Sequence, residues 1–326
     1  MLVPVRKLGR VLNASTRLTA LIVAALLGIL VTACAPAPPK PTLTLRVGTL
    51  QTDDLLPLWV AEDRGLLKDA GLNVEITTFL SAQEQTAAVT AGQIDAIMTD
   101  MVVGAQLTAA GVAMRFVTKM QSAPAGVVAG AGTGIKTAAD LAGVATGCAS
   151  PTILEYIYDK ALGDAGVPAD QIKTTEIKKL PVRLQMLLSG QIEAAVLPWT
   201  LYQLAVAQGA VPVLGLDQVG DYTSTVLAFR QAWLDHPDAN AFVKTLLGVW
   251  DKAVDVINTD PAAQRGLLAT KASLPSPLDT TYEVRQYPKS GPPPIQQVDD
   301  MLAWMSAKGY LASPVTSSDL IFETPR

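Results

Sequence analysis

Apolar and polar positions along the chain fall into repeated strand–helix units. Leu43, Leu45 and Val47 alternate with polar residues and predict a first strand ending at Gly48-Thr49. A helix near Pro57 to Asp69, ended by Gly71, leads to a second strand marked by Val74 and Ile76 that ends near Phe79-Leu80-Ser81. An amphipathic helix over Ala82 to Val89 stops at a glycine, and Ile94 to Met98 reads as a buried strand. A helix over Val102 to Ala109 and a strand over Ala113 to Val117 follow. The pattern then breaks at Gln121 to Gly134, a run rich in Gly and Ala that reads as a crossing between lobes. Beyond it the spacing predicts a short helix over Thr137 to Leu141 and a strand over Val144 to Gly147. A helix opened by Ser150 as its cap and Pro151 in its first turn runs through Lys160. A strand over Thr174 to Ile177, a helix over Pro181 to Leu188, a second apolar run, a helix over Trp199 to Gln208 and a strand over Val211 to Leu214 come next. Thr225 to Phe229 reads as a returning strand. Helices dominate afterwards, over Asp238 to Asn258, Pro261 to Ala269 and Pro294 to Lys308.

One stretch has an echo about a hundred residues on: Ala91-Gly92-Gln93-Ile94-Asp95-Ala96-Ile97-Met98-Thr99-Asp100 against Ser189-Gly190-Gln191-Ile192-Glu193-Ala194-Ala195-Val196-Leu197-Pro198-Trp199. Each copy is a helix end, a glycine suited to the left-handed turn, an apolar strand and a polar or aromatic tip. Ligands of open α/β sheets sit beyond the carboxyl ends of the strands, so two such tips predict two sheets facing each other across a cleft. The fold class is therefore α/β: two lobes, each a doubly wound sheet, with lobe one discontinuous because the chain leaves it, builds lobe two and returns. The expected organisation is a signal peptide over 1–33, a lipid-anchored linker over 34–42, lobe one over 43–124 plus 220–326, and lobe two over 125–219.

At 326 residues the chain is long enough for two domains of ordinary size, and 49% hydrophobic with 17% charged residues marks a folded globular protein. The N-terminus has a basic stretch, Arg6 to Arg17, then an apolar one, Leu18 to Val31, then Val31-Thr32-Ala33-Cys34. That is a secretory signal resembling a bacterial lipobox, with Cys34 as the lipid-bearing residue; about fourteen apolar residues are too few for a comfortable membrane span. The Pro-rich Ala35 to Pro41 reads as a stiff tether. Residues 1–33 carry four cations, Arg6, Lys7, Arg10 and Arg17, and no acid, so without them the formal charge moves from −4 to −8. An acidic mature protein argues against nucleic acid as a partner. With Cys34 acylated, Cys148 is alone and no disulfide forms within the chain.

The helix Pro57-Leu58-Trp59-Val60-Ala61-Glu62-Asp63-Arg64-Gly65-Leu66-Leu67, with Gly71-Leu72-Asn73-Val74-Glu75, Gly92-Gln93-Ile94-Asp95 and Asp140-Leu141-Ala142-Gly143, resembles the two-lobed substrate-binding proteins of ABC importers, in the nitrate/sulfonate/taurine and thiamine-precursor branch. The likeness covers roughly Leu43 to Tyr310. It implies a hinged cleft closing on one small molecule, a permease with a cytoplasmic ATPase as partner, and a monomer anchored on the extracytoplasmic face of the cell membrane. The wording of Gly147 to Tyr158, Tyr222 to Arg230 and Tyr287-Pro288 is similar to members tied to vitamin uptake. That makes riboflavin the first expectation and the thiamine pyrimidine precursor the second; nitrate, taurine or an alkanesulfonate is the alternative, as is a ligand-sensing lipoprotein without a transporter.

Candidate ligand-binding residues are those at expected strand ends and helix starts: Gln51, Thr52, Asp53, Ser81, Thr99 and Asp100 from lobe one, Ser150, Thr152, Tyr156, Trp199 and Tyr202 from lobe two, and Tyr222 and Ser224 from the return crossing. Several have a structural alternative: Asp100 as a cap for the next helix, Tyr156 as packing, Asp53 or Asp54 as a solvated loop acid, Trp59 as core. None of the candidates is Arg or Lys, and carboxylates oppose an anion at close range, which points to a neutral hydrogen-bonding ligand with aromatic stacking on Trp199, Tyr156 and Tyr222. One histidine, His236, and one free cysteine do not make a zinc or iron site of the common kinds, and no nucleophile elbow or phosphate loop is present, so neither enzyme nor cofactor is expected.

Overall fold

The computed structural model describes residues 43–120, 125–215 and 225–323. Their strands are β1 (Thr44–Leu50), β2 (Asn73–Phe79), β3 (Ala96–Asp100), β4 (Met114–Lys119), β5 (Ala125–Ala129), β6 (Ala145–Cys148), β7 (Lys173–Glu176), β8 (Ala194–Pro198), β9 (Val211–Leu214) and β10 (Thr225–Arg230). The longer helices are α1 (Leu56–Asp63), α2 (Ala82–Thr90), α3 (Met101–Ala109), α4 (Ile153–Asp164), α5 (Leu180–Leu188), α6 (Trp199–Ala207), α7 (Ala239–Thr259), α8 (Arg265–Lys271) and α9 (Ile295–Ala307).

The strands form two five-stranded sheets, ordered β2-β1-β3-β10-β4 and β7-β6-β8-β5-β9. In sheet one, β10 runs antiparallel to β3 and β4, while β1 is parallel to β2 and β3. Sheet two repeats the arrangement, with β5 antiparallel to β8 and β9 and β6 parallel to β7 and β8. The antiparallel strand of each sheet is the one by which the chain enters from the other lobe. Lobe one is discontinuous because β10 follows lobe two in sequence. The central strands are buried on both faces, which is why Ala96 to Thr99 and Ala194 to Leu197 read as continuous apolar or small-residue runs rather than alternating ones.

The echo has a packing cause. Gly92 and Gly190 take the left-handed conformation, with φ of 72° and 73°, and each turn drops the following isoleucine onto a glycine of the neighbouring strand. A Cβ on Gly48 would lie 2.5 Å from Ile94 Cδ1, and one on Gly147 would lie 2.7 Å from Ile192 Cδ1. In lobe one Asp95 also binds the strand: its carboxylate accepts the backbone N–H of Arg46 at 3.0 Å and the Arg46 guanidinium at 2.6 and 2.8 Å. Its counterpart Glu193 is exposed.

Three expectations are corrected. Gln121 to Gly134 is not all crossing: residues 125–129 are the interior strand β5, buried throughout. Its small residues answer a close approach, since a side chain on Gly126 would run into the Tyr202 ring. The helix expected over Pro57 to Asp69 breaks at Gly65, which has φ of 72°, and a single turn follows over Leu66–Asp69. The cap of α4 is Thr152 rather than Ser150: its Oγ1 accepts the Glu155 N–H at 3.3 Å and donates to the Ala149 carbonyl at 2.7 Å. The signal peptide, the tether, Cys34, Tyr222 and Ser224 lie outside the described residues.

Candidate ligand-binding site

Both tips of the echo start helices at the junction of the lobes. Asp100 ends β3 and caps α3, its Oδ1 accepting the Val103 N–H at 2.8 Å. Pro198-Trp199 ends β8 and opens α6, with the Trp199 ring stacked on Tyr202 at 4.9 Å between centroids and 14° between planes. Between them lie the acids that follow β1 and a segment that the sequence reading did not place here, Tyr282 to Tyr287.

Asp53 and Asp54 open the short turn after β1 and are buried, at 3% and 8% exposure. Asp53 is tied to three side chains: its Oδ2 accepts the Tyr282 hydroxyl at 2.7 Å and Nη2 of Arg285 at 3.0 Å, and its carbonyl accepts the Tyr287 hydroxyl at 2.6 Å. Burial works against the Arg285 charge, but Asp53, Tyr282, Tyr287 and Asp54 together outweigh it and the guanidinium is held more firmly protonated than usual. The same guanidinium stands over the Trp199 ring, 5.6 Å from its centroid, so lobe one reaches lobe two through this arginine. A second tie runs alongside: the Glu283 N–H donates to Oε1 of Gln203 at 3.1 Å.

Asp54 has hydroxyls where Asp53 has a cation. Oδ2 accepts Thr52 Oγ1 at 2.8 Å and Oδ1 accepts Thr225 Oγ1 at 3.1 Å. Thr225 is the register partner of Asp100 across β10 and β3, which brings Asp100 to the same place. Burial, reinforced by the Asp53 charge, pushes Asp54 up to about 6. Burial does the same to Asp100, also about 6, against the pull of the Val103 and Val102 amides and with a smaller push from Asp54. Two donors complete the site: Nε of Arg285 and Nε1 of Trp199 are shielded from water and have no partner. The junction thus holds Asp53 in a direct ion pair with Arg285, Asp54 drawn only from a distance by the same guanidinium, Asp100 capped by amides, and two unpaired N–H groups.

The remaining candidates are placed as follows. Thr52 orients Asp54. Thr99 is buried on β3 and Tyr202 lies under Trp199. Ser81 caps α2, accepting the Glu84 N–H at 3.2 Å, and Gln51 is exposed and donates to Ser273 at 3.2 Å. Ser150 and Thr152 start α4, where the Ser150 N–H donates to Glu176 at 3.0 Å. Tyr156 is buried edge-on against Trp304 at 5.3 Å, in a second contact between the lobes. There Lys308 and the Tyr310 hydroxyl both reach Glu155 at 3.0 Å, and Trp304 Nε1 donates to Asp159 at 3.0 Å. Trp59 is core, 1% exposed. Arg285 is the residue missed; the signal at hand was Tyr282-Glu283-Val284-Arg285-Gln286-Tyr287, whose tyrosines on either side of an arginine precede Pro288 in a segment without apolar periodicity. Among the described residues no group of His, Cys, Asp and Glu could hold a metal ion, and no helix is long and apolar enough to cross a membrane.

A family model described as "NMT1/THI5 like" matches residues 52–263, more than half of the chain. Comparison with curated protein sequences gives no match. Among solved structures, the periplasmic aliphatic sulphonate binding protein SsuA from Escherichia coli superposes with a TM-score of 0.75 at 18% identity, over 88% of this chain and 94% of that one. The alkanesulfonate-binding protein SsuA from Xanthomonas axonopodis pv. citri, bound to MOPS, gives 0.70 at 17% identity over 88% and 99%. A DSZB mutant in complex with biphenyl-2-sulfinic acid gives 0.60 at 17% identity over 85% and 96%.

Proposed function

The chain belongs to the NMT1/THI5-like family, and on that premise we propose that it is the extracytoplasmic substrate-binding component of an ABC importer, held to the membrane through Cys34. The observation that carries this reading is the meeting of the two strand-end tips: Asp100 with Asp54 from lobe one, and Trp199 from lobe two, joined by Arg285. A two-lobed clamp of this kind binds by closing polar and aromatic groups of both halves on one small molecule. The two SsuA proteins, both sulfonate-binding, match over nearly their whole length and support the same class. The DSZB neighbour shows that the fold also holds a sulfinic acid; in this chain burial pushes the Cys148 thiol up to about 12, which disfavours its thiolate.

The ligand is a ring-bearing, hydrogen-bonding molecule, with riboflavin and the thiamine pyrimidine precursor the leading examples. The Trp199–Tyr202 stack supplies a flat aromatic face, and Asp54 and Asp100 supply acceptors for N–H groups. A second reading, an alkanesulfonate, is favoured by Arg285 and by the unpaired Nε1–H of Trp199. Titration of the purified protein with riboflavin, followed by flavin fluorescence, and with ethanesulfonate, followed by calorimetry, separates them. Quenching in the micromolar range or below supports the first reading; tight ethanesulfonate binding without quenching replaces it with the second; binding of neither overturns both ligand readings. Deleting the gene distinguishes importer from sensor, because loss of uptake is expected only of the importer.

A further inference from the structure

Each sheet has two edge strands, and an uncovered edge offers unpaired N–H and C=O groups to any strand that meets it. Three of the four edges here are protected. β4 is covered by the chain itself: the Phe116 carbonyl accepts the Phe322 N–H at 3.1 Å, and the Lys119 N–H donates to the Gly291 carbonyl at 2.7 Å. β7 has only four residues and a charge at each end, Lys173 and Glu176. β9 is as short and carries Pro212, which has no N–H to offer. β2 differs from all three. It runs for seven residues, Asn73 to Phe79, with no proline and no lysine. Among the described residues its backbone bonds only to β1. Its one charged residue, Glu75, is the register partner of Arg46 on β1. Leu80, just past the end of the strand, is 79% exposed, more than any other large apolar side chain among the described residues.

We infer that the outer edge of β2 docks a second copy of this chain, the two strands joined antiparallel about a two-fold axis at Ile76. Two observations select this occupant. First, the chain's own segments are unsuited or committed elsewhere. Four of the seven residues from Ala35 to Pro41 are proline and bring no N–H to a ladder, and the C-terminal segment is bound to β4 at the far edge of the sheet. Second, the strand is complementary to itself. The register that pairs all seven residues sets Ile76 against Ile76, Glu75 against Thr77, Val74 against Thr78 and Asn73 against Phe79, so no like charges meet. It also brings the exposed Leu80 opposite Leu72 of the other copy. The register centred on Glu75 would instead set two acids face to face. The pairing joins two five-stranded sheets into one of ten strands. It departs from the monomer implied by the family resemblance and does not depend on which ligand is bound.

Sedimentation equilibrium tests it, on the purified full chain carrying Cys34→Ser, over about 1 to 200 μM. That substitution leaves the buried Cys148 as the remaining thiol. A monomer–dimer equilibrium is expected. Thr78→Lys puts a charge on the edge and should raise the dimer Kd about tenfold or more, whereas Gln208→Lys, exposed in lobe two, should leave it unchanged. Ile76→Cys faces its own copy across the axis with Cβ atoms about 5 Å apart, so a short bis-methanethiosulfonate should crosslink it. Thr78→Cys, two residues off the axis on each strand, should stay uncrosslinked. A chain that remains monomeric at the highest concentration overturns the inference. So does a dimer that Thr78→Lys leaves intact, or one in which Ile76→Cys does not crosslink, because such a dimer uses another surface.

Discussion

Asp100→Asn isolates the energetic cost of the site. Asparagine keeps the shape of the side chain and the oxygen that accepts the Val103 N–H, and it is as good a helix cap as aspartate. What it removes is a buried negative charge. The Asp100 carboxyl is raised from 3.8 to about 6, chiefly by desolvation, after the opposing pull of the two amides. A shift of about 2 pKa units corresponds to about 3 kcal/mol between the protonation states. The sign is the reverse of the usual carboxylate case. A raised acid binds its proton more tightly in the folded state, so folding is favoured while the group is protonated. Stability falls as pH rises from near 4 through 6 and is level above that. Wild-type protein should therefore be less stable than Asp100→Asn by about 3 kcal/mol at pH 7.5 and by only about 1 kcal/mol at pH 4.5. Asp100 keeps some solvent contact, so these figures are upper values. Urea unfolding of both ligand-free proteins at several pH values, followed by tryptophan fluorescence, measures the difference. Groups common to both, including Asp53, Asp54 and Arg285, largely cancel in it. A difference that does not change with pH, or a variant less stable than wild type at pH 7.5, would refute the reasoning that a binding carboxylate is held here at the expense of stability.

Arg285→Met leaves Asp53 buried with the Tyr282 hydroxyl but no cation, and should cost about 3–5 kcal/mol in urea unfolding at pH 7.5, with part of the loss recovered by Asp53→Asn in the double variant. Gly48→Ala places a methyl 2.5 Å from Ile94 Cδ1 and 2.9 Å from Phe79 Cε2; overpacking of this sort should destabilise by about 1–3 kcal/mol, and Gly147→Ala should do the same in lobe two, both read as a lowered unfolding midpoint. Cys148 is buried with its thiol raised to about 12 by desolvation, so iodoacetamide at pH 8 should leave the peptide containing it unmodified in native protein and modify it in 6 M guanidinium, as mass spectrometry would show.

Much of the scaffold was legible in the chain because it rests on local rules. Gly92 and Gly190 mark helix ends by a backbone conformation that glycine adopts without strain, and the apolar runs after them are central strands because both faces of a sheet are covered. Asp100 and Trp199 stood out as candidates because strand ends of α/β sheets meet ligands. The same local rules missed the strand over Ala125 to Ala129, at the start of lobe two: the small residue Gly126 there answers the space that the Tyr202 ring occupies, a fact about a residue far along the chain. They also gave the cap of α4 to Ser150, when the choice between Ser150 and Thr152 depended on how the loop leaves β6.

By itself, then, the sequence determined two glycine-punctuated α/β halves, the return of the chain to the first of them, and the strand ends at which chemistry would gather. Periodicity and turn residues act within a few positions of one another, and those features need nothing more. Only the tertiary structure decided the electrostatics of the junction. Asp53 and Arg285 are separated by more than two hundred residues, yet they form a direct ion pair, while Asp54 and Asp100 form none. Charge interactions depend on distance and burial rather than on sequence position, so no reading of neighbours along the chain could have found that arginine over that indole.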